Sequence, residues 1–282
     1  MGSNDVWIVL TAIAVALCCA LPGCFLVLRR MSMVGDAISH AVLPGIVIAY
    51  LISGSRNTVV MLPGAALTGM LVAILIETIQ KRMRIQSDAA IGLVYTLLFA
   101  IGVILVTAFT AHTDLDQECV LYGEIAYVPF DQVAFFGSDF SAPRQLWIAL
   151  GLLVVLSLII FPGYRGLYLS TFDPGYATAI GVSVVLWHYV LMGMVSLATV
   201  VSFESVGAVL VVALLTGPPA IASLFAKRLP GMLLLACIFG TLASITGYMM
   251  ASILDASISG SIAVMIGVLY ILSLGFKKIF SL

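Results

Sequence analysis

Nine long apolar runs, at roughly 6–28, 36–53, 59–79, 87–110, 145–162, 179–201, 205–226, 231–253 and 260–276, dominate the chain and leave little sequence between them. A bilayer core about 30 Å thick takes ~20 apolar residues wound as a helix, and each run is of that order. A water-soluble globule is excluded: 62% of the 282 residues are hydrophobic and 9% are charged, where a soluble domain carries about 25% charged. The pattern predicts an all-α fold, a polytopic transmembrane helical bundle of about nine spans, forming a single domain over residues 1–282. The join near 202–206 is thin, with only Ser202, Glu204, Ser205 and Gly207 interrupting a long apolar stretch, so eight or ten spans also fit. The first run starts almost at once with no basic segment before it, which reads as a span rather than a signal peptide.

Charge and cysteine usage narrow the class further. A net charge of −1 provides no broad basic surface, which argues against a nucleic-acid partner. Cys18, Cys19, Cys24 and Cys237 lie in or beside apolar runs and only Cys119 lies in a polar stretch, so no disulfide framework is expected. Arg29, Arg30, Lys81, Arg82, Arg84, Arg165, Lys227, Arg228, Lys277 and Lys278 all follow odd-numbered spans, leaving Arg56 and Arg144 opposite. The positive-inside rule then predicts an outer N-terminus and a cytoplasmic C-terminus. The long outer connection, roughly 111–144, holds Asp114, Asp116, Glu118, Glu124, Asp131 and Asp139. An acidic mouth raises the local concentration of cations; the same pattern also arises if acids merely occupy the side that Lys and Arg avoid. The long inner connection, read as a loop from Gly163 to about Thr178, is rich in aromatic residues and suits a docking surface.

Ionisable groups at membrane depth are costly and face a bundle interior or a wet path. Asp36 and His40 are four residues apart, so carboxylate and imidazole share one helical face and can share one ligand. His40 lies about 14 Å along a helix begun at Met31, near the midplane. Pro44 has no N–H to offer the carbonyl of His40, and Gly45 loosens the same turn. Imidazole, carboxylate and carbonyl together suit Mn²⁺, Zn²⁺ or Fe²⁺ better than a soft thiolate metal. The alternative is an Asp–His pair that only ties two helices together. Glu204 is a further candidate on the cation path, and His112, Asp114, Asp116, Glu118 and Cys119 offer donors at the outer mouth. His188 has no acidic neighbour at helical spacing and reads as a packed core histidine; Met31, Met33, Met192 and Met194 read as packing residues. Gly64, Thr68 and Gly69 read as a close helix contact. No Gly-x-x-x-x-Gly-Lys-Ser/Thr loop is present, so energy must come from a partner or an ion gradient, and no His-Glu-x-x-His marks a metalloprotease.

Four segments carry a family resemblance over almost the whole chain: 28–45 (LRRMSMVGDAISHAVLPG), 87–92 (SDAAIG), 172–181 (FDPGYATAIG) and 206–222 (VGAVLVVALLTGPPAIA). The sequence resembles the permease subunit of the manganese/zinc/iron class of bacterial ATP-binding cassette importers. The resemblance implies an integral permease of the bacterial cytoplasmic (inner) membrane, itself no enzyme, with no permanent cofactor and a divalent metal ion as cargo. It implies a second permease as partner, identical or related, two cytoplasmic ATPase subunits that use ATP, and an extracytoplasmic metal-binding protein. It places the intramembrane metal site on Asp36 and His40. It also makes Phe172, Asp173, Pro174, Tyr176 and Gly181 the segment that couples to the ATPase. A short helix with Asp173 as N-cap, Pro174 at the first position and Gly181 as terminator fits that stretch. The 112–119 stretch is similar to the outer loop of members linked to manganese or iron as well as zinc, without a long histidine-rich run. Protons should compete with metal for carboxylate and imidazole. The rival reading is a gradient-driven secondary cation carrier with Asp36 as its proton-carrying group.

Overall fold

The computed structural model describes residues 3–54, 58–83, 85–109, 125–134 and 141–280. Eleven helices are described: α1 (Ser3–Leu28), α2 (Met33–Ala41), α3 (Leu43–Ser53), α4 (Thr58–Met83), α5 (Ser87–Phe109), α6 (Arg144–Phe172), α7 (Pro174–Ala179), α8 (Val184–Val206), α9 (Ala208–Phe225), α10 (Leu229–Leu254) and α11 (Ile258–Phe280). A 3-10 turn (Ile125–Phe130) and a two-stranded antiparallel pair, β1 (Gln132–Ala134) with β2 (Ser141–Pro143), stand between α5 and α6. Among the described residues nine segments are long and apolar enough to cross a membrane, with α2 and α3 together making one. The all-α bundle expected from the apolar runs is what forms.

The thin join resolves at Gly207, whose φ of +78° ends α8 and admits α9 directly. Only a residue free of a Cβ enters that region without strain. The inner connection departs from expectation. Residues 163–172 are the last turns of α6 rather than a loop, and the reason lies in α8. Trp187 lies over Gly163 and Gly166, where any Cβ would run into its indole, so glycines that read as loop residues are a seat for a large ring. At 29 residues α6 is about 43 Å long and outruns a ~30 Å hydrocarbon core. Its last turns carry Tyr164, Arg165 and Tyr168.

The most enclosed helix is α1, packed against α10, α9, α6 and α8. Its inner positions are mostly small: Ala12, Ala14, Ala16, Cys18, Cys19, Ala20 and Cys24 are all buried. Lipid tails are as apolar as side chains, so helices in a membrane associate by close packing of small residues rather than by hydrophobic transfer. Gly23 is the extreme case, because a Cβ there would meet the carbonyl oxygen of Leu215 on α9. The contact expected at Gly64 and Thr68 is present. Gly64 of α4 faces Gly45 and Ala49 of α3, and a Cβ on Gly45 would overlap the Thr68 hydroxyl. Gly69 sits against Ser196 of α8, whose Oγ donates to the Ala66 carbonyl at 3.1 Å.

Candidate metal site and coupling helix

The second span is broken in the middle. Helix α2 closes with the Val42 N–H on the Ile38 carbonyl at 3.1 Å, and α3 starts with the N–H groups of Gly45 and Ile46 both on the Val42 carbonyl. Pro44 falls in the first turn of α3, where its missing N–H costs nothing, and that same absence removes the helical donor from the carbonyl of His40. Asp36 and His40 lie on α2 just before this break, with Nε2 and Oδ1 3.6 Å apart. That gap is too long for a good hydrogen bond and suits two donors flanking a third atom. Ser39 Oγ donates to the Asp36 carbonyl at 2.7 Å, steadying the turn between them. Tyr95 and Phe99 of α5 hold the imidazole, with ring centroids 6.0 Å and 6.2 Å away. The side chains of His40 and Asp36 stay 34% and 38% exposed, so the pair opens to one side of the chain.

Among the described residues no group of three or more His, Cys, Asp or Glu side chains gathers as a complete metal cage. Glu204 lies near the end of α8, but its side chain is outside the described residues. His112, Asp114, Asp116, Glu118 and Cys119 lie outside them as well. The sequence reading missed one carboxylate. Glu77 of α4 brings Oε2 to 3.7 Å from Nε2 of His188 on α8, so His188 is paired with an acid from another helix. No spacing within one helix could have revealed that pair.

Helix α7 follows the expected capping pattern. Asp173 Oδ1 accepts the Tyr176 N–H at 2.9 Å, Pro174 occupies the first turn, and Gly181 at φ +83° closes the end. The Val182 N–H reaches the Ala177 carbonyl and the Gly181 N–H the Thr178 carbonyl, the paired bonds that end a helix on a left-handed residue. Phe172 and Tyr176 are both more than half exposed. Tyr164, Tyr168 and Phe172 form a ladder of rings along α6, with centroids 6.0 Å and 4.8 Å apart. The ladder thus runs from the partly buried Tyr164 to the exposed Phe172 and leads into the capped helix α7.

The model of the ABC 3 transport family matches residues 4–277. The chain is 49% identical over 268 residues to the manganese transport system membrane protein MntD of Bacillus subtilis (strain 168), spanning 95% of this chain and 90% of that one. It is 45% identical over 269 residues to the zinc transport system membrane protein TroD of Treponema pallidum (strain Nichols), spanning 94% and 72%. A solved structure, PsaBC from Streptococcus pneumoniae in complex with Fab, superposes with a TM-score of 0.79 at 32% identity over 97% of this chain and 91% of that one. With a family match over residues 4–277 and a relative 49% identical over nearly its whole length, the chain belongs to the ABC 3 transport family.

Proposed function

We propose that this chain is the transmembrane permease of an ATP-driven importer for a divalent transition metal, manganese, zinc or iron. The observation that carries the reading is the Asp36–His40 pair, 3.6 Å apart beside the break in the second span, in a chain similar to manganese and zinc transport proteins. The metal is cargo, held in passing by carboxylate and neutral imidazole. Two donors are too few for Mn²⁺ or Zn²⁺, which take at least four. The rest come from water, from Glu204, or from a second permease facing the open side of the pair. ATP is hydrolysed by partner subunits in the cytoplasm, which receive α7 with Phe172, Asp173, Pro174, Tyr176 and Gly181. An extracytoplasmic binding protein delivers the metal to the mouth formed by 111–144. The chain lies in the bacterial inner membrane with its N-terminus outside and its C-terminus in the cytoplasm, as the basic residues require.

The test is uptake of Mn²⁺, Zn²⁺ and Fe²⁺ by cells that express the chain with its genomic neighbours. Asp36→Ala and His40→Ala should each lower uptake at least about tenfold, the loss expected even from weaker supporting groups at a metal site, with membrane levels unchanged. Unimpaired uptake in both variants would remove the site from α2. Uptake that persists without the ATPase subunits would favour a gradient-driven carrier instead.

A further inference from the structure

Arg29 is the first residue after α1, in the short connection to α2, and its guanidinium reaches three side chains on two other helices. Nε donates to Thr171 Oγ1 at 3.1 Å and Nη2 to Ser170 Oγ at 2.8 Å, both in the last turn of α6. Nη1 lies 3.3 Å from Nδ1 of His188 on α8. A guanidinium carries donors only, so Nδ1 must accept and the proton of a neutral imidazole must sit on Nε2. That nitrogen is the one 3.7 Å from the Glu77 carboxylate. The tautomer is thereby fixed, and it excludes His188 as a metal ligand in this state, because the remaining nitrogen bears its proton. The result is a line of guanidinium, imidazole and carboxylate from the α1–α2 connection to α6, α8 and α4, hydrogen-bonded as far as His188 and closed by a 3.7 Å approach to Glu77 that is longer than a hydrogen bond. Burial lowers the Arg29 pKa from its ordinary value, and arginine nonetheless stays charged.

Position gives this line a use. Ser170 and Thr171 come just before Asp173, the cap of α7, while Arg29 comes just before α2, which bears Asp36 and His40. A cavity of about 30 Å³, the room of about one water molecule, is lined in part by Met31 and Val34 at the start of α2 and by Glu77 and His188. We propose that Arg29, His188 and Glu77 form a coupling latch that transmits displacement of α7 to α2 and so repositions the Asp36–His40 pair. The latch rests on the reading that α7 docks an ATPase and α2 holds the metal. These are positioning residues, since none touches the cargo.

Lysine keeps the charge of Arg29 but offers one nitrogen in place of the three that reach Thr171, Ser170 and His188, so it cannot reproduce the planar fork. Glutamine in place of His188 can both accept from Arg29 and donate to Glu77, whereas leucine can do neither. The experiment is the complete importer, permease with its ATPase subunits, reconstituted in liposomes and supplied with its binding protein and Mn²⁺, reading ATP hydrolysed and Mn²⁺ moved in the same sample. Arg29→Lys and His188→Leu should move at least about fivefold less Mn²⁺ per ATP, the lower end of coupling between distinct sites, while His188→Gln stays near the parent. Equal loss in His188→Gln and His188→Leu, or hydrolysis and transport falling in proportion, would overturn the latch and leave a merely structural contact. Phe172→Ala serves as the reference. If it uncouples while Arg29→Lys does not, the latch alone fails; if both transport normally, the docking reading fails with it.

Discussion

Gly23 and Gly151 show how differently one residue type acts in this bundle. A Cβ on Gly23 would meet the backbone carbonyl of Leu215 and come within 3.1 Å of Pro219 Cγ, whereas nothing stands within 4 Å of a Cβ on Gly151. Backbone cannot step aside as a flexible side chain can, so Gly23→Ala must push α1 and α9 apart. The expected cost is about 1–3 kcal/mol, the range for overpacking a dense interior. Gly151→Ala should instead be neutral or stabilising by up to about 1 kcal/mol, because alanine loses less entropy on entering a helix. Thermal unfolding of both variants in the same detergent checks the pair. A Gly23→Ala protein as stable as the parent would show that α9 does not cross α1 at backbone contact.

At the scale of elements, the break at Val42 and the cap of α7 are where the proposed transport role can be tested through local chemistry. Pro44→Ala returns an N–H to the chain, which can donate to the carbonyl of His40 and let α2 and α3 run on as one helix. Stability should hold or rise while Mn²⁺ uptake falls, a combination that simple misfolding cannot give; uptake at the parent level would show that the break is incidental. Asp173→Ala removes the bond to Tyr176 N–H, and loss of such a cap costs about 1 kcal/mol. A helix of six residues has little else to hold it. Co-purification of the ATPase subunits should weaken while the permease stays in the membrane, and full recovery of the ATPase would dismiss the cap as a docking requirement. The cap of α7 was legible in the sequence because its signal is local, Asp173-Pro174 with Gly181 at the far end, while Pro44 and Gly45 after His40 showed a freed carbonyl and a loosened turn but not the division of the span into two helices. The extension of α6 to Phe172 was not legible, since the partner that makes helical sense of Gly163 and Gly166 is Trp187, in a different helix. Glu77 escaped for the same reason. Its meaning comes from His188, more than a hundred residues away, and helical periodicity carries no information across that distance. The acid-rich stretch 112–118 was legible as a composition, and its residues fall outside those described.

For the whole molecule, nine apolar segments among the described residues, each crossing once, would put the two termini on opposite faces, and the proposed orientation assigns those faces by their basic residues. On that proposal Arg165, in the surplus length of α6, falls on the same face as Arg29, Arg82, Arg228 and Lys278. The short turn between α10 and α11, where Asp255 takes φ +47° and no basic residue stands, is assigned by the same proposal to the other face. Ser257→Cys and Arg228→Cys, each made in a chain whose five native cysteines are replaced, read the two faces directly. A membrane-impermeant maleimide on intact spheroplasts should label Ser257→Cys at once and Arg228→Cys only after permeabilisation. The opposite result would invert the whole assignment. It would put α7, with its capped turn and exposed rings, on the side where no ATP is available, so that α7 could no longer be the element that meets an ATPase.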